Sequence, residues 1–359
     1  MADFGIAVGR VAFVMLFVLN AGGLLTWVER KQSAIMQDRI GANRAAIFGV
    51  RLMGLFHPLA DAIKMLTKEE FRPARADRLL FTLAPFVSVF FALVAFASIP
   101  FGDTLRVAGR EVPLQAVTLN VGILYVFAML SLGVYGVMMA GWASGNNYAL
   151  LGGQRAAALM ISAEISIGAS IMGVIMVYGS LDMQEIVRGQ GQLIAGVIPK
   201  WGLVTQPLAF LLFVTAGIAA TRRIPFDTPE SESEIIGYFI EYSGMKFGMF
   251  AMADFLETVV IGGMTTALFL GGWQVPYLQS DGFHFPWGAA LALPHLAVVL
   301  LQVGAFVFKV GLMIFLLMLV RWTLPRFRYD QAMHLGWLGL FPLSILNIVV
   351  TGLVLLAWS

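Results

Sequence analysis

The chain has 359 residues, of which 59% are apolar and 12% charged, with a formal net charge of +2. Soluble domains run at roughly 45–50% apolar and about 25% charged, so this balance excludes an ordinary soluble enzyme, and no long polar segment leaves room for a sizeable soluble domain. The chain contains no cysteine, which excludes a disulfide framework, thiolate ligation of an iron–sulfur cluster and a catalytic thiol.

Windows of about 20 apolar residues fall at 4–28, 79–101, 114–141, 156–179, 203–220, 247–272, 289–320 and 336–358. They predict an all-α, polytopic membrane protein of about eight spanning helices in one membrane domain, residues 1–359. The first window lacks a small-residue cleavage site and reads as a retained span rather than a signal peptide. Trp27, Trp201, Trp273, Trp287, Trp322, Trp337 and Trp358 fall near predicted span ends, where an interfacial aromatic belt belongs. Loops after the odd spans hold 17 of the 23 Lys and Arg and those after the even spans only 5, counting Arg10 with the latter. By the positive-inside rule the odd loops face the cytoplasm, which puts both termini on the periplasmic side.

The first of those loops, 29–78, contains apolar residues too interrupted to span, recurring with helical spacing around Arg51, Asp61 and Lys64. This predicts an amphipathic helix, either lying at the membrane surface or forming the wall of a binding site. Glu164 lies eight residues into the fourth window, about 12 Å along a helix, at a depth where an ionised carboxylate is costly. The third basic loop, 221–246, is dense in acid. Thr228 as cap, Pro229 at the first helical position and the acids behind them read as a helix start, and an α-helix would bring Glu230, Glu234 and Glu241 within about 40° of one another, with Glu232 opposite. Asp254 and Glu257 follow inside the sixth window, and Lys309 inside the seventh. Such groups are either structural interhelical pairs, Lys309 with Glu164 for example, or a protonatable pathway in which like charges and burial raise carboxyl pKa values. The loop carboxylates are equally open to being a solvated acidic loop. His57, His284, His295 and His334 are scattered at no metal-ligand spacing, so no metal site is expected in this chain. The glycines near 152 and 189 make no nucleotide loop.

Several longer motifs carry a resemblance: Glu29-Arg-Lys, Met36-Gln-Asp-Arg-Ile-Gly-Ala-Asn, His57-Pro-Leu-Ala-Asp-Ala-Ile-Lys, Gly141-Trp-Ala-Ser-Gly-Asn-Asn-Tyr, Arg223-Ile-Pro-Phe-Asp-Thr-Pro-Glu-Ser-Glu-Ser-Glu, Ile240-Glu-Tyr-Ser-Gly-Met-Lys-Phe-Gly and Leu324-Pro-Arg-Phe-Arg-Tyr-Asp-Gln. In order and over nearly the whole chain, they resemble the quinone-channel subunit, the H subunit, of respiratory complex I. The resemblance implies a subunit of a proton-pumping NADH:quinone oxidoreductase in a bacterial cell inner membrane, enzymatic only within the complex. Quinone would be the substrate, with flavin and iron–sulfur clusters on partner subunits. The implied partners are peripheral quinone-site and iron–sulfur subunits, small and antiporter-like membrane subunits, and membrane lipids; no nucleic acid is implied. Arg30, Gln37, Asp38, Arg39, Asp61 and Lys64 match the quinone-chamber wall from the first loop, and Arg223, Phe226 and Asp227 match it from the third. Glu164, Glu230, Glu232, Glu234 and Glu241 match the acidic chain thought to couple quinone chemistry to proton movement, which Asp254 and Lys309 extend. Three positions depart from the family: Ala220 where Glu is frequent, Ala163 where Tyr is usual, and Asp254 where Glu is usual. Related membrane-bound hydrogenases share a more distant version of the pattern. A stand-alone transporter and a scaffold for a soluble redox arm are the readings from other classes.

Overall fold

The computed structural model of the chain describes residues 2–107, 109–194, 196–231, 234–235, 237–288 and 290–358. Among them, seven helices are long and apolar enough to cross a membrane. The first, α1 (Ala2–Met36), has 35 residues, about 52 Å at 1.5 Å per residue, and so outruns a hydrocarbon layer of about 30 Å. The helix therefore carries Glu29, Arg30 and Lys31 past the point where the apolar pattern stops. A turn with Asp38 at positive φ follows, and then α2 (His57–Thr67), a helix within the loop where an amphipathic one is expected. Leu59, Ile63 and Leu66 point outward from it, while Met65 lies over Gly248, where an added Cβ would meet its sulfur.

Helix α3 (Arg78–Ala95) starts on an Asp77 cap that accepts from the Leu79 and Leu80 amides. Helix α4 (Gly122–Ala143) approaches it closely at Gly136, where a Cβ would fall 2.2 Å from Ser88 Oγ, the small-residue contact by which membrane helices gain van der Waals packing. Helix α5 (Asn147–Tyr178) is capped by Asn146 and begins nine residues before the expected span. After the short α6 (Met183–Gln190) come α7 (Gly202–Thr205) and α8 (Pro207–Ala220). These two replace the single fifth span expected at 203–220. Pro207 has no N–H to continue a helix, Gln206 adopts a non-helical φ of −141°, and its amide is held by Asn347 and Thr351, at 2.9 Å each. The remaining 14-residue helix rises about 21 Å.

Helix α9 (Gly244–Phe269) is the axis of the bundle. Its spanning window is 61% buried, against 22% for α1 and for the last span, and it touches α1, α2, α3, α8 and α10 (His295–Thr323). The chain ends in α11 (Tyr329–His334), a π-helical turn at Leu335–Leu340 and α12 (Phe341–Trp358). Three small antiparallel sheets lie within the connections 96–121, 179–206 and 270–294, which meet at one end of the bundle, where Arg188 bonds Asp103 and Gln190 accepts from the Gly271 amide. The other end holds α2, α11 and the acid-rich segment after α8.

That segment is not a helix. Its described residues between Thr221 and Ser243 form turns, with a single helical bond from Ile235 N–H to the Ser231 carbonyl, 2.8 Å. Thr228, the expected cap, has a buried hydroxyl without a partner among the described residues. Side-chain bonds to α5, to the α4–α5 turn and to the α10–α11 connection hold the segment instead, and these outweigh a capping propensity worth about 1 kcal/mol. Glu230, Glu234 and Glu241 therefore share no helical face. Glu232 lies outside the described residues.

Candidate functional site

The central side chain is Arg222. Immediately after α8 its backbone turns left-handed, φ +54°, a conformation costing an L-residue about 1–2 kcal/mol. This turn directs the guanidinium inward, where it is 1% exposed. There Nη2 donates to Asp254 Oδ1 at 2.5 Å and to both Glu257 oxygens at 3.1 Å. The two acids are three positions apart on α9 and so lie on one helix face. Beneath the guanidinium lies the ring of the wholly buried Tyr238, 5.8 Å from its centre. Tyr238 reaches this place because the loop rests directly on α5 at Gly152, where a Cβ would fall 3.0 Å from the Tyr238 nitrogen.

Arg223 points toward α1. Its Nη1 donates to Glu29 Oε2 at 3.1 Å, and its guanidinium stacks 4.4 Å from the Phe255 ring centre. Glu29 Oε1 accepts a second cation, Arg321 of α10, at 2.8 Å. Further along the loop Asp227 Oδ2 accepts from Arg326 at 2.7 Å, Arg326 also donates to Ser231 Oγ, and Phe226 packs on Phe327. Among the described residues, four arginines (Arg222, Arg223, Arg321 and Arg326) thus face five acids (Glu29, Asp227, Glu230, Asp254 and Glu257). Fully ionised, these nine described side chains carry one net negative charge, which a proton held on one carboxyl would balance.

Two loop carboxyls are suited to hold that proton. Burial pushes Asp227 up to about 6, against the pull of Arg326 and Arg321. Burial, followed by the charges of Asp254 and Asp227, pushes Glu230 well above the usual carboxylate range, with Arg222 and Arg321 opposing. Asp227 Oδ1 and the hydroxyls of Tyr238 and Tyr242 are buried without partners among the described residues. This interior is polar and hydrogen-bonding capacity is left open in it.

The other expected site residues fall in three places. At the same end, Glu234 pairs with the α5 residue Arg155 at 2.6 Å on the surface, and Glu241 accepts from Asn146 at 2.8 Å beside a polar cleft of about 390 Å³ that includes Arg75, Asn147 and Tyr148. Arg30 of α1 reaches Asp61 of α2 at 2.6 Å, with Lys64 3.5 Å from the other Asp61 oxygen. Gln37 and Arg39 bond one another, and with Asp38 they lie exposed beyond α1, outside the lattice. Deeper in the bundle, Glu164 of α5 accepts from Ser131 of α4 at 2.8 Å. At the opposite end, Lys309 donates to the carbonyls of Leu270, Gly272 and Gln274 at 2.7, 3.0 and 2.6 Å. It caps the end of α9 and does not pair with Glu164.

Sequence patterns did not single out Arg222, Arg321 and Arg326 or assign a role to Glu29. The available signal was an arginine pair opening an acid-rich loop, with further charges at the ends of the first and seventh windows. An apolar cleft of about 420 Å³ opens between α1, α9 and α10, lined by Phe13, Phe17, Leu24, Val259 and Val310 among others. No group of three or more potential metal ligands gathers among the described residues.

Membrane-length helices wrapped round a buried ion-pair lattice define a polytopic membrane protein with ionisable groups in its interior. A family model described as NADH dehydrogenase matches residues 9–352. The chain is 45% identical over 355 residues to the H 1 subunit of the NADH-quinone oxidoreductase of Geobacter metallireducens, covering 99% of this chain and 98% of that one. It is 44% identical over 349 residues to the corresponding H subunit of Thermomicrobium roseum, covering 96% and 94%, and 43% identical over 328 residues to the H 1 subunit of Cytophaga hutchinsonii, covering 91% and 90%. The chain belongs to the NADH dehydrogenase family that contains the NADH-quinone oxidoreductase H subunits.

Proposed function

We propose that the chain is the membrane subunit of a proton-translocating NADH:quinone oxidoreductase that walls the quinone chamber and carries protons inward from it. It contributes no iron–sulfur cluster of its own, since the chain has no cysteine to ligate one, and works with the peripheral and antiporter-like subunits of the complex. The basic end faces the cytoplasm of a bacterial cell and meets the peripheral arm. The observation that carries this reading is the excess acid among the described residues: a largely buried lattice that is one carboxyl out of balance takes up or releases a proton when a charge arrives beside it.

Quinone reduction supplies such a charge, because the reduced headgroup must acquire two protons. On this reading Arg30, Asp61 and Lys64 line the chamber from α1 and α2, with Gln37, Asp38 and Arg39 at its rim, while Arg223, Phe226 and Asp227 close it from the loop. Glu230, Asp254 and Glu257 respond to the charge, and Glu164, bonded to Ser131, continues the path between α4 and α5. Glu234 and Glu241 stand at its surface side, and Lys309 fixes the far end of α9. A stand-alone transporter is disfavoured by full-length similarity to subunits of a larger enzyme.

The test uses the intact complex. Glu230→Gln and Glu164→Gln should lower quinone reductase or coupled proton pumping at least tenfold while electrons still pass from NADH to a soluble artificial acceptor. Wild-type pumping in both variants would remove these residues from the path.

A further inference from the structure

Arg222 is held at some cost and yet incompletely used. Its left-handed backbone is strained, and one nitrogen, Nη2, makes all of its carboxylate bonds. The buried Nε and Nη1 donors on either side of it have no acceptor among the described residues, and the hydroxyl of Tyr238, whose ring lies under the guanidinium, has no partner among them either. Buried donors are rarely left in this state. The acid of the lattice without a bonded partner among the described residues is Glu230, half-buried in the same loop; its Cα lies 3.8 Å from the Cβ position of Gly237, the residue before Tyr238, and the charges of Arg222 and Asp254 both act on it.

We propose that Arg222 is a positioning residue with two stations: in one its Nη2 holds Asp254 and Glu257, and in the other its unfilled donors, with the Tyr238 hydroxyl, take the ionised carboxylate of Glu230. The guanidinium then transmits a change in the charge of Glu230 in the loop to the carboxyls of α9, inside the bundle. The charged and titratable groups that face this movement are Asp254 and Glu257 from α9, Arg223, Asp227, Glu230 and Tyr238 from the loop, Arg321 from α10, and Glu164 from α5, whose charge reaches Glu257. Burial keeps the Tyr238 hydroxyl protonated, and hence a donor, far above neutral pH. The inference rests on the reading of these acids as a proton path.

The experiment is the pH profile of quinone reductase activity in the assembled complex carrying Arg222→Gln or Arg222→Lys, with Glu230→Gln measured beside them. Without the cation Glu230 ionises at higher pH, so the acidic limb of the Arg222→Gln profile should move up by about one pH unit or more. Arg222→Lys, which keeps the charge, should bring the limb back toward its wild-type position. A role confined to structure would lower the rate equally at every pH. If Arg222→Gln fails to assemble, Arg222→Gln combined with Glu257→Gln removes both members of the buried pair and reads the same limb. An unmoved limb in whichever of these assembles overturns the proposal. A Glu230→Gln complex with a wild-type profile and wild-type pumping overturns instead the proton-path reading beneath it.

Discussion

Replacing Glu29 by Gln removes the one acid that α1 brings to the lattice, and its consequence can be worked from the geometry. Glu29 stands between Arg321 at 2.8 Å and Arg223 at 3.1 Å, with side chains of Arg223 and Glu29 only 8% and 12% exposed. Each contact is worth about 5–6 kcal/mol of attraction at an effective dielectric of 20, most of it offset by the desolvation of the charges. Glutamine leaves the buried Arg223 and the 26% exposed Arg321 sharing a neutral amide, and breaking a buried pair in this way costs about 3–5 kcal/mol. At about 1.4 kcal/mol per tenfold, a loss of that size falling on the unfolding barrier shortens the life of the folded protein roughly a hundredfold or more. The assay is the half-life of quinone reductase activity of the solubilised complex at a fixed elevated temperature. Arg188→Gln serves as the control: it breaks an equally short ion pair with Asp103, 2.7 Å, but one with side chains 50% and 32% exposed, where about 0–1 kcal/mol is at stake. Its half-life should stay within about fivefold of wild type. A Glu29→Gln complex no less durable than the Arg188→Gln complex would mean that the Glu29 pairs do not hold α1 against the bundle.

Asp227 and Lys309 give two further tests. The Asp227 carboxyl rises from its usual 3.8 to about 6 on folding, so the folded state binds more protons between those values. Its contribution to stability is therefore complete below about pH 4 and lost as pH climbs through 6, about 3 kcal/mol at most. Asp227→Asn should flatten that slope in thermal-inactivation rates measured from pH 4.5 to 6.5, and an unchanged slope would count against a proton held there. Lys309→Met keeps the side-chain stem but leaves three carbonyls of the α9 end without their donor, at about 2–3 kcal/mol. Hydrogen exchange of the amides just after α9 should quicken by tenfold or more; exchange at the wild-type rate would mean that the lysine does not cap the helix.

Features that depend on local composition were legible in the order of residues. Apolar length chose the bilayer as solvent and located seven membrane-length helices, helical spacing found α2, and the placement of Lys and Arg separated a basic end from an end bearing the small sheets. The acids were visible as charges in a chain that has few. Local rules failed where a distant partner competed with them. The cap and proline at Thr228 and Pro229 suggest a helix, yet Arg155, Asn146 and Arg326 each hold a different acid of that segment and keep its backbone in turns. The window at 203–220 suggests one span, yet Gln206 finds Asn347 and Thr351 and breaks it. Which charges meet was settled by packing alone: Glu29 and Arg223 are 194 positions apart, and no periodicity reports a contact over that separation. Their pairing, and the odd carboxyl left when four arginines are matched to five acids among the described residues, exist because ionised groups excluded from water must find one another across helices, and which ones succeed is set by how α1, α8, α9 and α10 come together.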